Sequence, residues 1–262
     1  MRTGKAEIIL NVNIKADYYK VVFNAPHVSG SVLPGQFIHV QIAGLRDRIL
    51  RRPFSVCDTS ADGLLTVVYK VIGEGTSVLS ELKTGAVCDV MGPLGNPYSL
   101  PADDEYPVII VGGYGSAATY ILAKQTRRKG VLLMGAKTGK DLILADDYKQ
   151  LGFDVKITTE DGSFGAKGLV TSLLKEYFEK SKNDRMKFYG CGPNPMMIVV
   201  AKMASQHGKN VELSMDHAMC CGVGACYACV VKIKDMKSPN GWKYARTCRE
   251  GPVFSSDLIF LE

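Results

Sequence analysis

The stretch "VIIVGGYGSAATY", residues 108–120, decides the fold class. It opens with a continuous apolar run typical of a buried strand, passes through a glycine turn, and continues into a predicted helix from about Ser116 to Arg128. Further predicted strands are "VLLMGA" (131–136), "DVKITTE" (154–160) and "MKFYG" (186–190), with helices over 169–180 and 194–207. Strands that alternate with helices indicate a parallel sheet with right-handed crossovers.

The chain before this stretch has a different pattern. From Ala6 to about Pro101 it predicts short strands rich in Val, Ile and Tyr, separated by turn residues such as Asp62-Gly63 and Thr84-Gly85. The predicted strands are 7–14, 18–25, 36–43, 64–71 and 86–94. Closely spaced strands without a full-length helix between them indicate a small antiparallel barrel.

Composition narrows the classes of function. The 262 residues have room for two domains and a small additional unit, and 46% hydrophobic with 22% charged residues is typical of a soluble globular protein. We see neither a signal-peptide pattern nor a run of about 18 apolar residues, so we expect a cytoplasmic protein with no membrane span. A net charge of +6 without a long basic run argues against nucleic-acid binding.

The glycine turn of the opening stretch is a candidate nucleotide site. Gly113-x-Gly115-x-x-Ala118 between a strand and a helix would let a pyrophosphate approach the helix N-terminus. Lys137 and Lys140 follow the next strand, where an acidic partner for the ribose is usual; the lysines could favour a 2′-phosphate or simply be solvated. Cys191-Gly192-Pro193 could admit a flat ring, although a buried, inert Cys191 explains the pattern equally well.

The stretch "RRPFSV" (51–56) is a candidate flavin site. Its arginine can neutralise a pyrophosphate, its aromatic ring can stack on a flat cofactor, and its serine can hydrogen-bond a ring nitrogen. Gly73, Gly75 and Thr76 precede a short helical stretch that offers backbone N–H groups to a phosphate. A core strand end and a glycine-rich hairpin are the alternatives that carry no function.

Four cysteines have the spacing of a plant-type [2Fe-2S] site. Cys221, Cys226 and Cys229 form Cys-x4-Cys-x2-Cys, and Cys248 follows after eighteen intervening residues. Zinc is less favoured, because closed four-cysteine zinc sites usually pair two Cys-x2-Cys knuckles and this chain has one. Disulfides rank lower in a reducing compartment, and Cys220 is interpreted as packing. The cluster therefore predicts electron transfer.

The order of the motifs resembles the ferredoxin reductase superfamily. Its pieces are "RPFS" (52–55), "GEGT" (73–76), "GGYG" (112–115), "TTEDGSFGAKG" (158–168) and "CGP" (191–193). The C-terminal "MCCGVGACYACVVKI" (219–233) and "TCREGPVF" (247–254) look more narrowly like the electron-transfer subunits of type-B dihydroorotate dehydrogenases. The resemblance covers essentially the whole chain, although Tyr114 and Ala118 stand where relatives usually carry glycine and proline.

The resemblance implies three units and their binding residues. The units are an FAD-binding β-barrel (1–101), an NAD-binding α/β domain (102–210) and a small [2Fe-2S] domain (211–262). The implied FAD contacts are Arg52, Pro53, Phe54, Ser55, Tyr69, Lys70, Val71, Gly75 and Thr76. The implied NAD contacts are Gly112, Gly113, Gly115, Cys191, Gly192 and Pro193. The implied cluster ligands are Cys221, Cys226, Cys229 and Cys248.

The resemblance also implies a function and a partner. Electrons from dihydroorotate, oxidised at FMN in a separate catalytic subunit, would pass through the [2Fe-2S] cluster to FAD and then to NAD+ as hydride, in a heterotetramer of two plus two subunits that serves pyrimidine biosynthesis. No general acid or base is then needed in this chain, and we expect an exposed apolar patch near the cluster. The rival readings are a reductase component for a hydrogenase- or ferredoxin-linked client and a non-redox zinc protein.

Overall fold

The computed structural model describes residues 1–45, 49–180, 185–215 and 217–261. All the binding residues named above lie within these ranges. Two seven-stranded sheets and one two-stranded hairpin make up the β-structure of the described residues. No helix in these ranges is long and apolar enough to cross a membrane.

The first sheet is antiparallel throughout and forms a half-barrel. Its strands are β1 (Arg2–Lys15), β2 (Tyr18–Asn24), β3 (Phe37–Gln41), β4 (Arg52–Ser55), β5 (Asp58–Thr59), β6 (Leu64–Lys70) and β7 (Val87–Leu94), in the order β4-β3-β7-β1-β2-β6-β5. Helix α1 (Pro26–Ser29) follows β2, and helix α2 (Glu74–Glu81) follows β6. Alternate apolar side chains such as Val21, Ile38 and Leu65 fill its core. The predicted antiparallel unit is confirmed.

The second sheet is parallel except at one edge. Its strands are β8 (Tyr106–Gly112), β9 (Val131–Ala136), β10 (Asp154–Thr159), β11 (Ala166–Lys167), β12 (Met186–Gly192) and β13 (Val211–Met215), and β16 (Val253–Ser255) joins β13 antiparallel. The order is β11-β10-β9-β8-β12-β13-β16. The helices are α3 (Gly115–Gln125), α4 (Ala145–Gln150), α5 (Val170–Lys180) and α6 (Asn194–Gln206). The sequence analysis did not predict α4.

Strand β8 shows why its sequence is continuously apolar. Val108 and Ile110 pack with residues of α5 and α6, whereas Ile109 and Val111 pack on the opposite face with residues of α3 and α4. All four side chains are fully buried. A strand covered by helices on both faces has no solvent side, so polar residues do not alternate along it.

The C-terminal segment is tied to the second sheet. A hairpin of β14 (Val230–Lys234) and β15 (Trp242–Arg246) follows the cysteine loop, and the chain then returns as β16 to pair with β13. Strands β13 and β16 both lie beyond residue 210, yet both extend the parallel sheet. The division of the chain at residues 101 and 210 stays a prediction.

Candidate functional site

A cleft of about 650 Å³ lies where the half-barrel, the parallel sheet and the C-terminal segment meet. From the half-barrel come Arg52, Pro53, Phe54, Ser55, Tyr69, Lys70, Gly75 and Thr76. From the other two parts come Cys191, at the end of β12, and His217 to Met219, which lead into the cysteines. A flat cofactor in this cleft would contact all three parts of the chain.

The phosphate end of this cleft is formed by Arg52 and the start of α2. A Cβ atom at Gly75 would lie 2.8 Å from the Arg52 Nε, so the Arg52 side chain lies directly against the first turn of the helix. The Thr76 hydroxyl accepts hydrogen bonds from the Ile72 N–H at 2.9 Å and the Gly73 N–H at 3.2 Å, which closes the turn before α2. Cationic and backbone donors here suit an anionic phosphate.

Aromatic side chains form the wall of the cleft beside β6. The rings of Phe54 and Tyr69 meet edge-on with their centroids 5.8 Å apart, and Tyr19 stacks on Tyr69 at 5.8 Å. The Tyr69 hydroxyl donates to the Asn11 Oδ1 at 3.2 Å, which fixes the ring. Val71, an implied FAD contact, does not line this cleft; its side chain packs against the half-barrel core.

A second cleft of about 650 Å³ lies at the carboxyl ends of the parallel strands. It brings together predicted residues Gly112, Gly113 and Pro193 with Tyr114, which also lines the first cleft. The carboxyl ends of parallel strands at a glycine turn are the usual location of a nucleotide in such sheets. The two clefts meet at Tyr114 and Lys70, so ligands in them would be neighbours.

Gly115 and Gly192 line neither cleft. Instead, their lack of a side chain lets neighbouring backbone segments pack closely together. A Cβ atom at Gly115 would lie 2.1 Å from the Cys191 carbonyl oxygen, and one at Gly192 would lie 3.0 Å from the Gly112 nitrogen. The N-terminus of α3 therefore packs directly on the end of β12. This contact holds Cys191, which is buried, at the edge of the first cleft.

A network of three side chains joins the half-barrel to the parallel-sheet domain beside both clefts. The Lys70 Nζ lies 2.8 Å from the Asp141 Oδ1, and the Tyr18 hydroxyl donates to the same oxygen at 3.1 Å. Partial burial acts to raise the pKa of the Asp141 carboxyl, but the hydrogen bonds from Lys70 and Tyr18 outweigh it and leave that pKa lowered. Burial and the Asp141 charge raise the pKa of Tyr18 to about 12.

We expect Asp141→Asn to flatten the loss of stability at acidic pH. A carboxyl whose pKa is lower in the folded chain stabilises it above its unfolded pKa of about 4, and that contribution disappears as the pH falls through the folded value. Because both partners are partly exposed, the free energy of unfolding should fall by about 1 kcal/mol or less at pH 7. Urea unfolding between pH 7 and pH 3 measures this.

Asp103→Asn is the matched control for this prediction. It removes an ion pair with Arg127 whose side chains are 70% and 81% exposed, so the unfolding free energy at pH 7 should not change measurably. An equal loss in both variants at pH 7 would contradict a specific role for the Asp141 network.

Three of the predicted ligands, Cys221, Cys226 and Cys229, lie in the loop between β13 and β14. The fourth, Cys248, lies just after β15. Gly222, Gly224 and Tyr227 have φ values of 68°, 84° and 57°, so the backbone there is left-handed, which favours glycine. Arg246 anchors the loop: its Nη1 donates to the Gly224 carbonyl at 2.7 Å, and it pairs with Glu250. Its guanidinium also lies 4.9 Å from the centroid of the Tyr227 ring.

The four predicted ligands are arranged as two pairs of thiols. Cys221 hydrogen-bonds with Cys226, and Cys248 hydrogen-bonds with Cys229. Burial acts to raise the pKa of Cys221, but backbone N–H groups, including that of Ala225 at 3.3 Å from the sulfur, lower it to about 6. Burial and the contact with Cys229 raise the pKa of Cys248 to about 12.

This arrangement fits the four-thiolate donor set of a [2Fe-2S] cluster. Within the ranges that the structure describes, no group of three or more His, Cys, Asp or Glu side chains is placed to hold one metal ion. Two thiol pairs suit two metal ions with two thiolates each. The eight cysteines all lie in the described ranges, and no disulfide joins any two of them.

Two buried polar side chains beside the cysteines also fit a bound group that accepts hydrogen bonds. Neither ring nitrogen of His39 nor the Thr247 hydroxyl has a hydrogen-bond partner within the described part of the chain. Both residues have no solvent exposure. Buried donors are nearly always satisfied in native proteins, so a sulfur-rich group at this site would explain both.

The sequence analysis missed several residues of the two clefts. Phe37, Ser214, Met215, His217 and Met219 line the first cleft, and Glu160 lines the second. Glu160 follows β10 directly, so its position after a parallel strand was a usable signal. The second cleft therefore has a carboxylate after β10, whereas Lys137 follows β9.

Family models cover three successive parts of the chain. Residues 5–98 match an oxidoreductase FAD-binding domain, and residues 111–202 match an oxidoreductase NAD-binding domain. Residues 216–260 match the iron-sulfur cluster binding domain of dihydroorotate dehydrogenase B. Fold and matches together define the class: the chain is an oxidoreductase component of the ferredoxin reductase type with FAD-, NAD- and cluster-binding domains.

Relatives of nearly the same length specify the family. The dihydroorotate dehydrogenase B (NAD(+)) electron transfer subunit of Fusobacterium nucleatum is 33% identical over 96% of both chains, and that of Caldanaerobacter subterraneus is 35% identical over 97% of both. The chain belongs to the family of dihydroorotate dehydrogenase B electron transfer subunits.

Solved structures agree on the fold. An NADH-dependent reduced ferredoxin-NADP oxidoreductase aligns with a TM-score of 0.80 and 30% identity, over 97% of this chain and 89% of that chain. The ferredoxin reductase of carbazole 1,9a-dioxygenase aligns with a TM-score of 0.69 at 21% identity, over 79% of this chain and 66% of that chain. The second similarity concerns the fold alone.

Proposed function

We propose that this chain relays electrons from a partner dihydroorotate dehydrogenase to NAD+ in pyrimidine biosynthesis. The observation that carries the proposal is the first cleft, which Arg52 to Ser55, Cys191 and His217 to Met219 line together. A flavin bound there would lie between the nicotinamide side and the cysteine loop. Bound flavin exchanges single electrons with a cluster and hydride with a nicotinamide, which is the chemistry that connects the two sides.

Residues of the half-barrel would bind and orient FAD. We assign the pyrophosphate to Arg52 and to Gly75 and Thr76 in the first turn of α2, because cation and backbone donors converge there. Phe54 and Tyr69 would pack against the flat part of the cofactor, and Pro53, Ser55 and Lys70 complete that wall. Val71 supports the wall from the core side.

Residues of the parallel sheet would bind NAD. Gly112 and Gly113 let the dinucleotide approach the start of α3, and Pro193 lies beside Gly112 in the same cleft. Glu160 and Lys137 lie in the same cleft, and a carboxylate there can accept hydrogen bonds from ribose hydroxyls. Gly115 lets α3 pack against Cys191, which lines the neighbouring first cleft.

The thiolates of Cys221, Cys226, Cys229 and Cys248 would hold the cluster. Their loop faces outward at one end: Cys226 is exposed, and Val223 and Tyr227 beside it are 37% and 60% exposed. Exposed apolar and aromatic side chains around a redox group suit a protein partner. We assign this surface to an FMN-containing catalytic subunit, in an assembly of two plus two subunits.

Two further proposals follow from the same residues. Eight cysteines without a disulfide are consistent with a reducing compartment, and we infer a cytoplasmic location. We also propose the FAD-binding, NAD-binding and cluster-binding units as 1–101, 102–210 and 211–262. Because β13 and β16 join the parallel sheet, the third unit would not separate from the second without breaking that sheet.

A second candidate function is electron transfer as the reductase component of a ferredoxin-linked complex. The similarity to the NADH-dependent reduced ferredoxin-NADP oxidoreductase favours it, since that alignment spans 97% of this chain at 30% identity. The three binding units would be used in the same way, and the partner on the exposed loop would differ.

The first experiment is a visible spectrum of anaerobically purified protein with iron, sulfide, zinc and flavin quantified. We expect about two irons, about two sulfides and one FAD per chain, with a yellow-brown colour. One zinc per chain and no flavin would contradict the proposal. Mixing the loaded chain with an FMN-containing catalytic subunit should then give dihydroorotate-dependent reduction of NAD+; reaction with reduced ferredoxin alone would favour the second candidate.

A further inference from the structure

His39 lies on the face of β3 that covers the cysteine loop. Ile38 and Val40 point into the half-barrel core, so His39 and Phe37 project from the opposite side of the strand. Phe37 packs in a buried cluster with Cys229, and the ring centroids of Phe37 and His39 are 5.7 Å apart. The C-terminal segment buries this face of β3, which places an imidazole next to the proposed ligands.

The Nε2 edge of the His39 ring points at the start of the loop. A Cβ atom at Gly222 would lie 2.7 Å from the His39 Nε2, so the imidazole lies directly against the residue that follows Cys221. His39 is fully buried, and neither ring nitrogen has a hydrogen-bond partner among the described residues. A donor that is buried without a partner is costly unless a bound group accepts from it.

An imidazole carries at least one N–H donor in either protonation state. Burial, and secondarily the positive charge of Arg51, lower the pKa of His39 to about 4. Four cysteines already supply the thiolates of a [2Fe-2S] cluster, so the imidazole is not required as a ligand. Sulfur atoms of such clusters accept N–H hydrogen bonds, and these bonds help to set the reduction potential.

We propose that the imidazole of His39 donates an N–H hydrogen bond to a sulfur of the [2Fe-2S] cluster and thereby raises the cluster's reduction potential. This inference rests on the proposed function, since it needs the cluster at the four cysteines. The sulfurs carry more negative charge after one-electron reduction, so a donor stabilises the reduced form more than the oxidised form. His39 thus contacts the cluster directly and sets its reduction potential.

Two substitutions separate the hydrogen bond from packing. His39→Leu removes the donor and keeps an apolar side chain of similar size, whereas His39→Gln keeps an N–H donor. We expect His39→Leu to lower the equilibrium constant for one-electron reduction of the cluster about tenfold, a shift of about 59 mV to lower potential. An EPR-monitored redox titration of the FAD- and cluster-loaded full chain measures this. His39→Gln should recover most of the shift.

His207→Leu is the matched control. His207 directly follows α6. Its Nδ1 lies 2.8 Å from the Met203 carbonyl and its ring centroid lies 5.4 Å from that of Phe178, so it belongs to a different part of the core. The cluster potential of this variant should equal that of the unchanged chain. An unchanged potential in His39→Leu with full iron and sulfide content would overturn the proposal.

A second measurement does not depend on the variants folding. In the unchanged chain with 15N-labelled histidine, pulsed EPR of the reduced cluster should show a weak nitrogen coupling transmitted through a hydrogen bond. No histidine coupling, or the strong coupling of a nitrogen bound to iron, would overturn the proposal. Iron and sulfide counts test the cluster itself, so failure of the proposed function and failure of the His39 assignment give different results.

Discussion

Cys229→Ser is expected to abolish electron transfer between the partner and NAD+ while leaving the flavin reaction with NADH. Cys229 is buried and hydrogen-bonds with Cys248, so the substitution removes one thiolate from a pair inside the protein. Loss of an outer-sphere group at a metal site already lowers metal affinity or activity about 10–100-fold. Loss of a ligand should therefore lower the rate of dihydroorotate-dependent NAD+ reduction more than about 100-fold. Iron and sulfide content should fall with it.

Two readouts make this result specific. Bleaching of the flavin by NADH, followed by stopped flow, should persist in Cys229→Ser, because the first cleft is formed without that side chain. Cys220→Ser is the matched control. It makes the same sulfur-to-oxygen replacement at the cysteine that precedes Cys221 and lies outside the ligand spacing, and it should keep both the cluster and both activities. Loss of the cluster in Cys220→Ser, or its retention in Cys229→Ser, would contradict the ligand assignment.

Gly115→Ala is expected to destabilise the chain and weaken binding of NADH. The new Cβ would lie 2.1 Å from the Cys191 carbonyl oxygen and 2.7 Å from its carbon, so the start of α3 and the end of β12 must move apart. Both atoms belong to the backbone and cannot rotate away. Overpacking typically costs about 1–3 kcal/mol, and we expect the unfolding free energy to fall by about 3 kcal/mol.

Gly30→Ala is the matched control for this substitution. Nothing lies within 4 Å of a Cβ placed at Gly30, and its φ of −68° is an ordinary helical value. Reduced freedom of the unfolded chain should therefore stabilise the variant by about 0.4–1 kcal/mol. Urea unfolding and titration with NADH measure both variants. A Gly115→Ala chain as stable as Gly30→Ala would show that α3 and β12 do not need this contact.

The order of the two sheets and the spacing of the cysteines were readable from the sequence. The apolar run 108–113 predicted a strand buried on both faces, and the glycine turn that follows it predicted the position of the second cleft. These signals are local, because strand and helix periodicities depend on residues within a few positions of each other. Helix α4 was missed because it has only six residues, too few for a clear helical period.

The contacts between the parts of the chain could not be read in the same way. Alternation along β3 places His39 on the strand face opposite the core, where a histidine would ordinarily be exposed to solvent; only the packing of the cysteine loop buries it. The ion pair of Lys70 with Asp141 joins residues 71 positions apart, and no local pattern encodes that distance.

The sequence by itself determined which elements form and which chemistry the cysteines, glycines and "RPFS" support, because strand and helix periods, turn residues and ligand spacing are properties of neighbouring residues. Only the tertiary structure decided that Val71 packs inward, that the thiols form two pairs, and that three parts of the chain share one cleft. Those features arise where separate apolar surfaces pack together, and their geometry depends on the whole chain.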